Sequence, residues 1–239
     1  MTRLSILFLI IMTACNPKLD DKVIVKKQID GLTLKNNIQL QDTTTIHQDT
    51  ITINNQHYIQ ISKDERFNCL LSMQGDTIIK SQNYYFKSKF LDIDEDGYKD
   101  IRVFAFSNTP NQCDNYLFDK KLKTFKLIEN CNLDIQKIKG TNFFYSYNSA
   151  GCADMNWESY LSKIENYKLV DYGYIYGQGC DFEVENNPQV IEIYKIGNSD
   201  TYEKKLLKKL PYLKNIPEFE AKWSFIDKYW AQNFKTFDR

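Results

Sequence analysis

The sequence predicts an all-β domain of antiparallel hairpins, propeller-like or sandwich in arrangement, with one C-terminal α-helix. Three observations lead there. Short runs rich in Ile, Val, Thr and Tyr alternate with polar turns, the pattern of half-buried strands. No helical segment separates consecutive strands, so the crossovers that a parallel sheet requires are missing. Only near the C-terminus does the apolar spacing turn helical, through Phe219, Trp223, Ile226, Tyr229 or Trp230, and Phe234.

The chain opens with Arg3 and the apolar run Leu4 to Met12, followed by Thr13-Ala14-Cys15. That run is too short to cross a bilayer core of about 30 Å as a helix and has the layout of an export signal covering residues 1–14. Met12-Thr13-Ala14-Cys15 resembles the lipobox of bacterial lipoproteins, which implies cleavage before Cys15 and acylation of its thiol. Acyl chains contribute roughly 0.8 kcal/mol per buried methylene, so such an anchor holds a protein at a membrane without a spanning helix. Residues 15–30, with Asn16, Pro17, Asp20 and Asp21, read as a tether, and 31–239 as a single β-rich domain. The expected location is the bacterial cell envelope, on the periplasmic side or at the outer-membrane surface.

Along the domain, Thr50–Ile53 and His57–Ile61 flank the turn Asn54-Asn55-Gln56, and Cys69–Met73 and Thr77–Ile79 flank Gln74-Gly75-Asp76. Each is a hairpin signal. Further strands are expected at Ile101–Phe106, Asn142–Tyr147, Leu169–Tyr176 and Val190–Ile196. Lys204-Lys205-Leu206-Leu207-Lys208-Lys209-Leu210 has the composition of a cationic amphipathic helix. It follows a strand and the turn Gly197-Asn198-Ser199-Asp200, however, so a returning strand is the alternative reading. Pro217 suits the first turn of the C-terminal helix, expected over about 217–234, with its aromatic face on the sheets. Tyr172, Tyr174 and Tyr176 alternate onto one face of a strand, as core or as a recognition stripe.

Between two expected strands lies Asp92-Ile93-Asp94-Glu95-Asp96-Gly97-Tyr98-Lys99-Asp100. Carboxylates at loop positions one, three, five and nine, a glycine at six and a backbone carbonyl at seven make the oxygen set that calcium takes from a short loop. The candidate ligands are Asp92, Asp94, Asp96, the Tyr98 carbonyl and Asp100. An EF-hand would place Glu at position twelve and continue as a helix. Here that position is Val103, within a strand, so a calcium loop between strands is expected, with its last ligand from water or elsewhere. A solvated acidic turn is the plain alternative.

Five cysteines remain beyond Cys15, and an oxidising compartment allows them to pair. Cys113 and Cys131 are equidistant from Leu122, and Cys152 and Cys180 from Asn166, at the centres of two expected hairpins. Antiparallel pairing about those centres would set each couple face to face. The expected bridges are therefore Cys113–Cys131 and Cys152–Cys180, with Cys69 a buried free thiol. No CxxC pair is present to suggest a zinc site.

Basic and acidic residues both number 31, which argues against nucleic acid as a partner, since phosphate binding needs a basic excess. Only His47 and His57 could serve a Ser-His or Cys-His site, both lie in polar β-patterned sequence, and no GxSxG elbow occurs. Gly173-Tyr174-Ile175-Tyr176-Gly177-Gln178-Gly179 lacks the lysine and following helix of a phosphate loop. A glycosidase needs only two carboxylates, and Asp154, Glu158, Asp181, Glu183 and Glu185 are candidates. The expectation is nonetheless a protein that is not an enzyme.

Leu91–Val103 resembles the loop of FG-GAP and VCBS-type β-propeller repeats, and more closely a group of exported bacterial proteins carrying one Asp-rich loop. Tyr116-Leu117-Phe118-Asp119 and Gly151-Cys152-Ala153-Asp154-Met155 extend the resemblance over roughly residues 85–180. It implies a periplasmic immunity lipoprotein that inhibits a lysozyme-like hydrolase delivered by type IV secretion. The partner would be that secreted hydrolase, with Asn108-Thr109-Pro110-Asn111 and Asn148-Ser149-Ala150-Gly151 as contact loops. A surface protein that binds glycans through its aromatic stripes is the alternative, and a carboxylate-based glycoside hydrolase a further one.

Overall fold

The computed structural model describes residues 44–82, 84–107, 111–180, 189–197 and 203–238. The expected signal, Cys15, the tether, Asn108 to Pro110, Asp181, Glu183 and Glu185 lie outside these residues. By internal contacts the chain divides into Met1–Asp42 and Thr43–Arg239, and the second unit carries all the elements that follow.

The fold is all-β and antiparallel, with two helices at the C-terminal end. Strands β1 (Ile46–Ile53), β2 (Gln56–Lys63), β3 (Arg66–Ser72) and β4 (Thr77–Ile79) form a first sheet in chain order. Strands β5 (Tyr85–Leu91), β6 (Asp100–Ala105), β7 (Cys113–Asp119) and β8 (Thr124–Leu127) form a second, again in order. A six-stranded sheet follows, from β9 (Gln136–Lys137), β10 (Phe143–Ser149), β11 (Asn156–Glu165), β12 (Lys168–Gln178), β13 (Val190–Ile196) and β14 (Lys204–Pro211). Then come the one-turn helix α1 (Tyr212–Asn215) and the long helix α2 (Ala221–Phe237). The lysine-rich segment is thus strand β14.

Local sequence explains the tight hairpins. Asn54 and Asn55 between β1 and β2 have φ of 51° and 60°, the double left-handed turn whose twist matches that of paired strands, and asparagine tolerates it. Asp64-Glu65 and Asn166-Tyr167 make the same positive-φ pair.

Three hydrophobic layers join the elements. Ile53, Tyr58, Phe67, Leu70 and Ile79 of the first sheet meet Ile101, Val103, Tyr116, Phe118 and Phe125 of the second. The other side of the second sheet, through Leu117, and the segment after β8, through Ile128 and Ile135, meet Phe144 of the third. The far face of the third sheet, with Trp157, Leu161, Ile175, Ile191 and Ile193, is covered by Ile226, Trp230 and Phe237 of α2. The result is a sandwich-like stack of open sheets, with no closed barrel among the described residues.

The glycines of the 173–179 run make that last layer possible. A Cβ on Gly177 would lie 2.1 Å from the Trp157 ring, and one on Gly173 2.7 Å from Phe237. The run is a flat bed for aromatic rings.

Several expectations need correction. Tyr172 does not share a face with Tyr174 and Tyr176, because the β11–β12 register shifts at Leu161/Ser162. This bulge turns Tyr172 into the core under α2, against Phe143, while Tyr174 and Tyr176 stack on the opposite face. The long helix begins at Ala221, not Pro217, and buries Lys222, Ile226, Trp230 and Phe237. Phe219 and Trp223 are exposed at 46% and 40%.

Cys152 and Cys180 are bridged, with Cα atoms 5.8 Å apart. Cys113 and Cys131 are free, buried thiols, contrary to the expected bridge. The β7–β8 ladder pairs Tyr116 with Leu127 and Asp119 with Thr124. That register would set Asn130, not Cys131, opposite Cys113, and the ladder ends at Leu127. Both sulfurs instead face the Asn115 amide, whose Nδ2 lies 3.5 Å from Cys113 Sγ and 3.2 Å from Cys131 Sγ. Cys69 is free but only half-buried.

Candidate metal centre

The Asp-rich loop connects β5 to β6, and its shape follows from its own side chains. Asp92 accepts the N–H groups of Asp96 at 3.0 Å and Gly97 at 2.9 Å, closing the loop on itself. Gly97 turns there with φ of 89°, which glycine adopts without steric cost. Ile93 points the other way and is buried in the layer between the second and third sheets. A polar loop is thereby tied to an apolar plug.

Asp100, 2% exposed, anchors the loop's end. One carboxylate oxygen accepts the Ile93 N–H at 2.7 Å and the other the Phe118 N–H at 2.9 Å. A second clamp comes from the first sheet: the Asn54 side chain donates to Lys99 O at 2.8 Å and accepts the Lys99 N–H at 2.7 Å. The loop is therefore held from the first and second sheets.

One carboxylate oxygen from each of Asp92, Asp94 and Asp100 lies within 4.8 Å of the others. Oxygens this close repel when ionised. Burial, followed by the charge of Asp96, raises the pKa of Asp94, against the attraction of Lys137. Burial pushes Asp100 up to about 7, against its two backbone hydrogen bonds. Asp94 Oδ1 is buried and has no hydrogen-bond partner. An all-oxygen cluster with an unpaired buried carboxylate oxygen fits a hard dication such as calcium, and not the N/S sets that zinc prefers.

Of the five expected ligands, Asp92, Asp94 and Asp100 are brought together. Asp96 stands aside: its carboxylate accepts the Tyr98 N–H at 2.9 Å and pairs with Lys120 at 2.9 Å. The Tyr98 ring stacks on Phe118, with centroids 5.5 Å apart. Lys137 donates to the Asp94 carbonyl. A cleft of about 860 Å³ opens beside the cluster, with Asp94, Asp96, Lys120, Lys137 and Tyr167 in its walls. Sequence spacing marked the carboxylates but not Asn54 or Lys137, whose partners lie 45 and 43 residues away.

The expected contact loop Asn148–Gly151 leads into a strained turn. Cys152, Ala153 and Asp154 have φ of 52°, 49° and 70°, three successive left-handed residues, each disfavoured by about 1–2 kcal/mol. Such a turn persists only where its surroundings over-determine it. Here the disulfide ties Cys152 to Cys180, and Lys222 Nζ donates to Asp154 Oδ2 at 2.7 Å and to its carbonyl at 2.8 Å. Tyr147 donates its hydroxyl proton to Asp154 Oδ1. Glu158, another proposed acid, accepts from Tyr174 at 2.8 Å and Tyr160 at 3.3 Å. His57 bonds Thr52 through Nδ1 at 3.0 Å, and both histidines are exposed.

No protein-family model and no curated protein sequence matches this chain. Among solved structures it is similar to a Xanthomonas type IV secretion system related protein, at 14% identity and a TM-score of 0.41. The match covers 74% of this chain and 98% of that one. A superposition this loose carries no argument about function.

Proposed function

We propose that this chain is an exported, lipid-anchored protein of the bacterial cell envelope that holds calcium and blocks a peptidoglycan hydrolase. The observation that carries the calcium reading is the Asp92, Asp94 and Asp100 cluster, one of whose members, Asp94, has a buried oxygen without a hydrogen-bond partner. Those three carboxylates would hold the ion, while Asp96 is turned to Lys120. Calcium in this position neutralises carboxylates that otherwise repel, and so fastens the β5–β6 loop between the sheets. The disulfide agrees with an oxidising location.

The inhibitory role rests on the resemblance of Leu91–Val103, Tyr116–Asp119 and Gly151–Met155 to exported immunity lipoproteins. The rigid 148–154 loop suits that role, because a contact held in one conformation loses little entropy when a partner binds. Exposed Phe219 and Trp223 flank Lys222 next to it, and aromatic side chains are the usual anchors of interfaces.

Two measurements test the two halves of this reading. Calcium raises the thermal midpoint of the chain and a chelator lowers it, because a ligand that binds only the native state stabilises it. Asp94→Asn abolishes that difference. A midpoint indifferent to both additions overturns the calcium reading. In a turbidity assay on purified peptidoglycan, the chain slows a lysozyme-fold muramidase; unchanged lysis rejects the inhibitor reading.

A further inference from the structure

A cavity of about 240 Å³ lies where the face of the third sheet turned away from α2 meets the strap of residues 130–135 after β8. The sheet supplies Asn148 from β10, Tyr160 from β11 and Asp171 from β12, and the strap supplies Asn130 and Asn132. Pockets for drug-sized ligands run to roughly 300–1,000 Å³, so this one has room for a single ring.

Both walls are stiff. Buried Asn115 donates through Nδ2 to Leu133 O at 2.9 Å, and buried Arg102 donates through Nη2 to Ile135 O at 2.8 Å. The Cys113 N–H donates to Asn132 O at 3.1 Å. On the sheet side, Ser159 Oγ donates to Ser146 O at 2.7 Å. A cavity held open by bonds made elsewhere needs little reorganisation to accept a ligand.

Its chemistry selects the ligand. Three side-chain amides, a phenol and a carboxylate line it, and no lysine or arginine does. That set discriminates against phosphate and carboxylate ligands, which draw on cationic forks and ammonium groups. It matches a ring bearing several hydroxyls, each both donor and acceptor. Asn148 Oδ1 is buried with no hydrogen-bond partner, while its Nδ2 is spent on Glu158 Oε2 at 3.4 Å. That oxygen is closed to solvent, so the groups the cavity offers a ligand are the Asn130 and Asn132 amides and the Tyr160 ring.

We propose that this cavity binds one ring of a neutral saccharide. The Asn130 and Asn132 amides take its hydroxyls and the Tyr160 ring takes its C–H face. Tyr160 is also the first of a cross-strand row, 5.0 Å from Tyr174, which is 5.8 Å from Tyr194. Lys204 Nζ lies 3.6 Å over the Tyr174 ring, which is 7% exposed, so the row beyond Tyr160 is closed and the site takes a single ring. The site depends neither on calcium nor on a hydrolase partner, so its failure and theirs are distinguishable.

Saturation-transfer NMR on the full chain tests this, with glucose, N-acetylglucosamine and chitotriose as probes. Expected are transfer to ring protons of at least one monosaccharide, engagement of the trimer through a single ring, and a roughly three- to tenfold weakening in Asn132→Ala, as for one lost hydrogen bond. Asn130→Ala, also on the strap, gives the same reading should Asn132→Ala fail to fold. No transfer from any probe overturns the proposal and leaves a cavity for ordered water only. Undiminished binding in the asparagine variants also overturns it, because the sugar then sits elsewhere.

Discussion

Lys222 has no solvent exposure, yet its ammonium is fully engaged. It meets Asp154 twice and lies 3.7 Å above the Phe219 ring centroid. Removing one partner of a buried ion pair costs about 3–5 kcal/mol when it strands the other charge away from water; Lys222 is sealed whereas the Asp154 side chain is 27% exposed, so stranding Lys222 costs more. Asp154→Asn is therefore expected to lower the urea midpoint substantially more than Lys222→Met, and equal losses would contradict the pairing. Burial pushes both the Cys113 and Cys131 thiols up to about 12. A raised thiol pKa favours the neutral form in the fold, so their contribution to stability is whole below the ordinary thiol range near 9 and is lost as pH climbs toward 12. Iodoacetamide at mildly alkaline pH should accordingly label Cys69 first, with Cys113 and Cys131 reacting only on unfolding. The carboxylates of the acidic loop were legible in the sequence because their geometry is set within nine residues by a glycine. The Lys222–Asp154 pair was not, since its members are 68 residues apart and a helix lysine ordinarily signals solvent.

At the scale of elements, the hairpins were readable wherever asparagine or glycine marked a turn, as at Asn54-Asn55 and Gly75. The Asp64-Glu65 turn carries no such mark, and β5 has no clean alternation, so neither stood out. The C-terminal helix was recognised but rotated. Ile216 is buried and sits at φ −131° and ψ 77° before Pro217, outside helical values, as a residue preceding proline tends to be. The helix consequently starts four residues later than Pro217, and its buried face runs through Lys222 and Phe237, while Trp223 faces water. The glycine run 173–179 hid a packing role behind a sequence that resembles nothing catalytic. Because a Cβ on Gly177 would meet a Trp157 ring boxed in by Tyr212 and Phe225, Gly177→Ala is expected to cost about 1–3 kcal/mol, the usual range for overpacking. Gly197→Ala is the control, with its nearest atom at 3.8 Å; a Gly177 variant melting no lower than the Gly197 variant would refute the close packing.

Taken as a whole, Thr43–Arg239 is stabilised by three apolar layers and one covalent tie. The Cys152–Cys180 bridge closes 28 residues, for which loop entropy alone suggests ~3.5 kcal/mol. Reduction should lower the melting midpoint and release the 152–154 turn, seen as faster amide exchange there than in β7; equal protection in both redox states would show that Lys222 and Tyr147 suffice. The fold class was predictable because every strand ladder joins neighbours in the chain; the order of the layers was not, because it depends on which side of β7 faces which sheet. That neighbour-only topology also orders the molecule in time. A chain that enters its folding compartment N-terminus first finishes the first sheet before the second exists, and the second before the third, so few contacts wait on distant sequence. The exception is α2: until Phe237 emerges, Trp157, Ile175 and Ile193 form an uncovered apolar face. The last seventeen-residue segment of the fold is thus its latch, and the interval before it closes is when a chaperone, or a sister chain, has its opportunity.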